Sequence, residues 1–310
     1  MLYRSFSYFT VFIALITLSA CGGGSGLSES SDSNVSSSAE HIEIVGAGIK
    51  GPLAFAETRL YKLDTSFTDM YDKHAPIAST TTNAFAQISG LSVPAKIKPP
   101  YILTIGGENA IDLNTGQPPV IKTLTTVVTA RMLNHRKPVY STPLTTMAFH
   151  MAALDSDEFT DATGFVDSLE QRASEISSRF AVNTSINIDV LQSPVVIDKS
   201  TNTIEKQTEA VYHRAAIEAF ASKINMMSEH NGQPSSNTLI EKLALDLQSD
   251  GIVDDKANDE IIGEINPEII NLDPYGLVIP NTSYLVSDTA NLMEDELVLI
   301  GKESETDFSG

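Results

Sequence analysis

The stretch DLQSDGIVDD places four acidic side chains around one glycine, a pattern that suits the binding of a metal ion. Ca²⁺ binds about six to eight oxygen ligands, and helix-loop-helix calcium loops supply them from alternate positions around a glycine bend. With Asp246 at the first position, Asp250 and Asp254 fall at two further ligand positions, and Gly251 falls at the bend. The spacing therefore predicts a weak Ca²⁺ site with these three aspartates as side-chain ligands.

The same stretch also fits a plain turn between two helices. In this alternative Leu247 ends one helix, Asp250–Gly251 forms the turn, and Asp254–Asp255 caps the next helix. Ala257 favours the turn, because it stands where calcium loops carry a bidentate carboxylate. Both interpretations stay open at the level of sequence.

The single cysteine, Cys21, follows a segment with the three regions of a secretory signal peptide. Arg4 is its one basic residue, an apolar run extends from Phe9 to Leu18, and small residues precede the cysteine. The run is shorter than the ~20 apolar residues that a membrane-spanning helix needs. These features predict a secretory signal peptide over residues 1–20 and export of the chain.

The four residues LSAC, which end at Cys21, resemble the lipobox of bacterial lipoproteins. The resemblance implies that the Cys21 thiol takes a diacylglyceryl group and that its freed amine takes a further acyl chain such as palmitate. Lipid would then anchor the mature chain to the membrane. Gly22 rather than Asp follows the cysteine, which in that family implies the outer membrane, on its periplasmic face or at the cell surface. The alternative is a secreted protein in which Cys21 is incidental.

Composition narrows the classes of partner and compartment. Residues 21–40 form a predicted Gly/Ser-rich tether, since a segment with so few apolar side chains cannot offset the entropy cost of ordering. The chain has 20 Lys and Arg against 40 Asp and Glu, a net charge of −20. This charge argues against nucleic-acid binding, which depends on basic side chains that neutralise phosphates. A single cysteine cannot form an intramolecular disulfide. We expect no required cofactor, with Ca²⁺ as the one candidate ligand ion.

Residues 41–135 carry the two-residue periodicity of short strands separated by Gly, Pro and Asn. The segments are IKGPLAFAETRLYKLD from Ile49, TTTNAFAQISGL from Thr80 and YILTIGG from Tyr101. Together they resemble the carboxypeptidase regulatory-like, or transthyretin-like, β-sandwich, although Asn83–Ala84 stands where that family usually has a turn glycine. The resemblance implies a structural or interaction module, and no catalytic residue is carried over from it.

Residues 136–265 change to a helical period. Thr142 is the predicted N-cap of a helix, with Pro143 as its first residue. Further helices are predicted from apolar stripes that run from Phe165 to Phe180, from Val211 to Met227 and from Leu239 to Leu247, with Asn237 as the N-cap of the last. Several helices with short joins predict a small helical bundle.

After residue 265 the periodicity weakens. Residues 266–310 are predicted to be an acidic C-terminal segment, with short strands at 277–279, 284–286 and 297–300 and disorder over the last eight residues. The predicted fold class is therefore α+β: an N-terminal antiparallel β-sandwich followed by a small helical bundle.

The histidines do not form a recognisable catalytic or zinc motif. No two of the six have the spacing of zinc ligands on one helix face, and the sequence has no G-x-S-x-G motif. His150 and His213 are expected to be packing residues within helices. We therefore predict a lipid-anchored cell-envelope protein, not expected to be an enzyme, that acts as a structural, adhesion or interaction module with an envelope or extracellular protein partner. The alternatives are a calcium-stabilised binding protein, or a hydrolase of unknown type that uses His150 or His213 in the helical domain.

Overall fold

The computed structural model describes residues 41–155, 161–183, 185–229 and 234–303. The predicted signal peptide, Cys21 and the predicted tether lie outside these residues, and so does the predicted disordered end from residue 304 on. The described residues form one compact unit. Its described part is mixed α and β.

The strands of the described ranges are short, as the spacing of turn residues predicts. In chain order they are β1 (His41–Ile44), β2 (Gly46–Gly48), β3 (Leu53–Ala54), β4 (Glu57–Lys62), β5 (Ala78–Thr81), β6 (Leu91–Pro94), β7 (Tyr101–Gly106), β8 (Ile111–Asp112), β9 (Thr123–Val128), β10 (Val139–Ser141), β11 (Lys256–Ala257) and β12 (Glu260–Ile261).

Most helices of the described ranges follow β10, although β11 and β12 lie between α5 and α6, and one short helix comes directly after β9. They are α1 (Ala130–Asn134), α2 (Pro143–Leu154), α3 (Ala162–Arg179), α4 (Ile204–Ser228), α5 (Ser236–Asp250) and α6 (Thr289–Leu299). Two short 3₁₀ helices span Pro267–Ile270 and Val286–Asp288.

The largest sheet is antiparallel and has the strand order β5-β4-β7-β9. Two-stranded antiparallel pairs join β1 to β6, β3 to β8 and β11 to β12, while β10 runs parallel to β2. All six residues of β7 are buried, because β7 lies inside the sheet with both faces covered.

The start of α2 confirms the predicted cap. Thr142 Oγ1 accepts a hydrogen bond from the Thr145 N–H at 3.0 Å, and Thr145 Oγ1 accepts one from the Thr142 N–H at 2.8 Å. This reciprocal pair satisfies two donors at the helix start, and Pro143 occupies the first turn, where no N–H is needed.

The predicted cap of α5 is wrong by two residues. Ser235, not Asn237, is the N-cap, and its hydroxyl accepts from the Thr238 N–H. The Asn237 side chain instead pairs with the main sheet: Oδ1 accepts from the Lys122 N–H at 3.0 Å, and Nδ2 donates to the Thr123 carbonyl at 2.6 Å. A contact between residues this far apart in sequence has no local signature.

The predicted domain boundary between residues 135 and 136 falls inside one hydrophobic cluster, which extends from Ile44 to Ile300. Across this boundary, Ile49 N–H donates to the Ser141 carbonyl at 2.8 Å, which helps to hold β10 against β2. Helix α2 packs on β9, where Thr125 N–H donates to Thr146 Oγ1 at 2.8 Å. Strands and helices therefore share a core.

The predicted short strands after residue 276 are only partly observed. Val278 and Leu285 form an isolated antiparallel bridge. The strand predicted at 297–300 is wrong, because Leu297 lies in α6 and is buried against α4. The run of apolar residues there is too short to distinguish a strand from one face of a helix.

Candidate functional site

The acidic stretch singled out by the sequence ends α5. Gly251 adopts the left-handed conformation, with φ of 77°, and its N–H donates to the Leu247 carbonyl at 3.0 Å. This is the usual glycine-terminated helix end, and it agrees with the turn alternative. The next element is the β11–β12 hairpin and not the second helix that this alternative included.

Asp246, the first predicted calcium ligand, is buried, and its carboxylate accepts backbone hydrogen bonds. The donors are the N–H groups of Asp254 at 3.3 Å and Asp255 at 3.0 Å. Burial raises the pKa of Asp246, and the backbone donors act in the opposite direction. The contacts fold the loop back onto the end of α5.

The other acidic side chains of the stretch also have protein partners. Asp250 Oδ1 accepts from the Ile252 N–H at 2.8 Å, and Asp254 Oδ2 lies 2.9 Å from Lys256 Nζ. The Asp255 carboxylate accepts from three consecutive N–H groups, of which Ile265 is the closest at 2.7 Å. Asp246 and Asp250 thus lie near the end of α5 and Asp254 lies in the loop that follows, and each of the three carboxylates has its own protein partner.

Within the described ranges, no group of three or more His, Cys, Asp or Glu side chains is placed to hold a metal ion. The Ca²⁺ site at Asp246, Asp250 and Asp254 stays a prediction. A bound ion would have to compete with the backbone donors that now occupy the Asp246 carboxylate.

His213 is buried in α4. Its Nδ1 lies 3.3 Å from the Ser193 carbonyl, while Nε2 has no hydrogen-bond partner among the described residues. The Ser193 hydroxyl donates to Glu209 and not to His213. Burial lowers the pKa of His213 to about 4, so the ring is neutral at pH 7.

His150 is half-buried on α2, where its ring meets that of Phe149 at 5.4 Å between centroids. Burial lowers the pKa of His150 to about 4, although the Asp69 charge acts in the opposite direction. Both histidines are therefore placed as the sequence predicted, in packed helices.

A cluster of buried charges, which the sequence analysis did not find, lies where α4 meets α6 and the β3–β8 strands. We call it the charge cluster, and it consists of Lys50, Asp112, Arg214, Glu218 and Glu296. Each of these residues is at most 2% exposed. Burying a charged group costs free energy unless the group is paired, so these five side chains have to be partners of one another.

Arg214 is the centre of the helical side of the charge cluster. Its Nη1 and Nη2 donate to the two carboxylate oxygens of Glu296 at 3.1 and 2.7 Å, and its Nε donates to Glu218 Oε1 at 2.8 Å. Asn114 Nδ2 also donates to Glu296, at 3.0 Å. The bidentate geometry fixes α6 against α4.

Lys50 is the centre of the strand side of the charge cluster. Its Nζ lies 3.2 Å from Asp112 Oδ2 and 3.6 Å from Glu218 Oε2. The adjacent Gly51 has φ of +71°, and a Cβ there would lie 2.0 Å from Asp112 Oδ1. A glycine is required at this position, because it lets the Asp112 carboxylate approach the turn.

The two carboxylates that face Lys50 differ in proton affinity. Burial raises the pKa of Asp112 to about 6, while Lys50 acts in the opposite direction. Burial would also raise the pKa of Glu218, but the charges of Lys50 and Arg214 outweigh it and hold this pKa below its usual range. Glu218 is thus a carboxylate at pH 7, whereas Asp112 takes up a proton more readily.

A weak sequence signal for the charge cluster did exist. Arg214 and Glu218 are four residues apart, which places them on one face of α4, in the middle of an otherwise apolar stripe. The partners Lys50 and Glu296 come from distant parts of the chain, so no local pattern identifies them.

None of the helices in the described part of the chain is long and apolar enough to cross a membrane. Comparisons of the chain with protein-family models, with curated proteins and with solved structures each found no match.

Proposed function

We propose that the chain is a lipid-anchored protein of the cell envelope, held in the outer membrane through Cys21, whose folded part is a structural, adhesion or interaction module. The observation that carries this proposal is the sequence LSAC directly after a signal-like apolar run. A cysteine at that position is what lipidation requires, and two or more acyl chains suffice for stable anchoring.

The contacts of the folded part support a role without catalysis. The most deeply buried polar side chains pair with one another and join elements from opposite ends of the chain, as Arg214 does with Glu296. The Ser193 hydroxyl is committed to Glu209, which argues against a hydrolase in which His213 activates that serine. Such contacts favour a rigid module that binds or supports another molecule.

We also propose a finer description of the fold. The antiparallel order β5-β4-β7-β9, together with the β1–β6 pair, supports a diverged β-sandwich related to the transthyretin-like domains. Helices α2 to α5 would then correspond to the small helical bundle, merged with the sandwich through a common core.

The partner class follows from charge and location. A net charge of −20 disfavours nucleic acid and anionic lipid headgroups as ligands of the folded part. We propose an envelope or extracellular protein as partner, with the lipid on Cys21 as the link to the membrane.

Metabolic labelling with a fatty-acid analogue tests the anchor. The wild-type chain should incorporate the label, and Cys21→Ala should not. Equal incorporation by both chains, or none by the wild type, would contradict the proposal.

A further inference from the structure

The Lys50 side of the charge cluster holds an amine between two carboxylates, away from solvent. Lys50 Nζ lies 3.2 Å from Asp112 Oδ2, and the side chains are 1% and 2% exposed. On the other side, Glu218 Oε2 lies 3.6 Å from the same nitrogen and has no hydrogen-bond partner among the described residues. An amine, a carboxyl group and a free carboxylate oxygen therefore meet in one dry site.

From this geometry we propose that Lys50 and Asp112 condense into an intramolecular amide bond, with Glu218 as the proton acceptor. Beyond the proposed lipid anchor, this gives the folded part a covalent cross-link that does not depend on cysteine. The only cysteine is Cys21, so a disulfide within the chain is not available for the same purpose.

The reaction balances without any co-reactant. Glu218 takes a proton from the Lys50 ammonium, and the neutral amine attacks Cγ of the protonated Asp112 carboxyl. The C–N bond forms and the C–O bond to the Asp112 hydroxyl breaks, and the proton held by Glu218 joins that hydroxyl, which leaves as water. The Lys50 nitrogen then gives its second proton to Glu218 and keeps one as the amide N–H. No electrons are transferred, and the products are the amide, one water and protonated Glu218.

Three features of the site favour this step. Fixed placement of the two reacting groups removes much of the entropy cost of bringing them together. Backbone contacts hold Asp112, which pairs in register with Leu53 and accepts from the Asn114 N–H at Oδ1 at 3.0 Å. The residues on either side of Lys50 are held too, since the Ile49 N–H donates to the Ser141 carbonyl and the Gly51 N–H donates to Glu218. The site is also dry, so little water competes with the amine or reverses the condensation.

The Glu218 carboxylate is held in place for its role. Its other oxygen, Oε1, accepts from Arg214 Nε at 2.8 Å and from the Gly51 N–H at 3.2 Å. These donors fix the carboxylate and leave Oε2 directed at Lys50. The positive charge of Arg214 also keeps Glu218 ionised, which is the form that accepts a proton.

Peptide mass mapping of the full chain, isolated from membranes in detergent and digested with trypsin, tests the proposal. The expected result is a branched peptide that joins the segments around Lys50 and Asp112 and weighs about 18 Da less than their sum, the mass of one water. Trypsin should not cleave after Lys50. Two separate linear peptides, with cleavage after Lys50, would overturn the proposal.

An exposed ion pair in the same molecule is an internal control. Lys73 Nζ lies 2.8 Å from Asp69 Oδ2, closer than the buried pair, but both side chains are at least half exposed. The peptides around Lys73 should stay linear. A branched peptide at this pair as well would overturn the proposal, because burial would then not be what selects the reacting groups.

Variants separate the reacting groups from the proton acceptor. Lys50→Arg keeps the charge but should yield only linear peptides. Glu218→Gln should slow bond formation by about 100-fold or more, the usual contribution of a general base. Glu296→Gln removes an equally buried carboxylate that pairs with Arg214, and it should keep the bond. A normal yield of the branched peptide in Glu218→Gln would overturn the role of Glu218.

Discussion

Arg214 on α4 and Glu296 on α6 lie 2.7 Å apart at Nη2 and Oε2, with both side chains buried, although they are 82 residues apart in sequence. The pair fixes the C-terminal helix to the body of the protein. Acidic residues of the C-terminal segment thus have two roles: some are solvated, and Glu296 completes an internal charge cluster.

Removing Arg214 should be strongly destabilising. Arg214→Met leaves the buried Glu218 and Glu296 carboxylates without their main partner, and breaking a buried pair in this way costs about 3 to 5 kcal/mol. Urea unfolding of the chain from residue 22 on measures the loss. The matched control is Arg59→Met, which breaks an exposed pair with Glu57 and should cost less than about 1 kcal/mol. Equal losses in the two variants would contradict the importance of the charge cluster.

The neutral, buried His213 should make stability fall in mild acid. Its pKa in the folded state is about 4, below the usual 6.5, so the unfolded chain binds the proton more tightly between these values. The stabilisation is complete above pH 6.5 and is lost as the pH falls towards 4. Between pH 7 and pH 5 this one group should contribute a loss of about 2 kcal/mol.

The variant His213→Gln isolates this contribution, because glutamine does not titrate. The free energy of unfolding should fall less between pH 7 and pH 5 in the variant than in the wild type. Equal falls in the two proteins would show that His213 is protonated in the folded state as easily as in the unfolded state.

The Asp246 carboxylate should stabilise the loop after α5 whether or not calcium is present. Asp246→Ala leaves two inward-facing backbone N–H groups without their acceptor, which should cost about 1 to 3 kcal/mol in the presence of chelator. Asp250→Ala is the control, since the Ile252 N–H that it exposes can bind water. An unchanged melting temperature in Asp246→Ala would contradict this structural role.

The same thermal melts test the predicted calcium site. At a tenfold excess over its dissociation constant, Ca²⁺ would add about 1.4 kcal/mol to the wild type, and Asp250→Ala would lose that gain. An unchanged wild-type melting temperature with millimolar Ca²⁺ would mean that the stretch is a turn alone. An equal shift in both proteins would place Ca²⁺ binding elsewhere.

The segment 41–135 should not fold by itself, even though its sequence reads as a complete β domain. In the full chain β10 pairs with β2, and α2 covers β9, so the isolated segment would expose this part of its core. Circular dichroism of the purified segment should show a largely unfolded chain. A cooperative β-rich fold of the segment alone would instead favour two separate domains.

Local features of the fold were predictable from the sequence. The Thr142 cap with Pro143 is decided by residues within one turn, and the stripe that begins at Phe165 gives one buried face to α3. The left-handed turn at Gly251 follows in the same way from a glycine after a helical stripe.

Features that depend on distant partners were not predictable. Gly51 donates to Glu218 across 167 positions, and the predicted cap Asn237 serves the main sheet instead of its own helix. The hydrophobic core that strands and helices share was not predictable for the same reason. The change of period near residue 135 marks a change of secondary structure, whereas the hydrophobic cluster continues across it. Sequence patterns predict contacts between residues that are close along the chain. The partners of buried charges come from distant segments, so these patterns do not predict them.

Fractionation of cell envelopes on a density gradient, with wild type and Cys21→Ser compared, tests the proposed lipid anchor. The wild type should sediment with the outer membrane, because acyl chains on Cys21 would hold it there, and Cys21→Ser should be absent from that fraction. A wild-type chain found outside the outer-membrane fraction, or a Cys21→Ser chain found within it at the same level, would contradict the anchor.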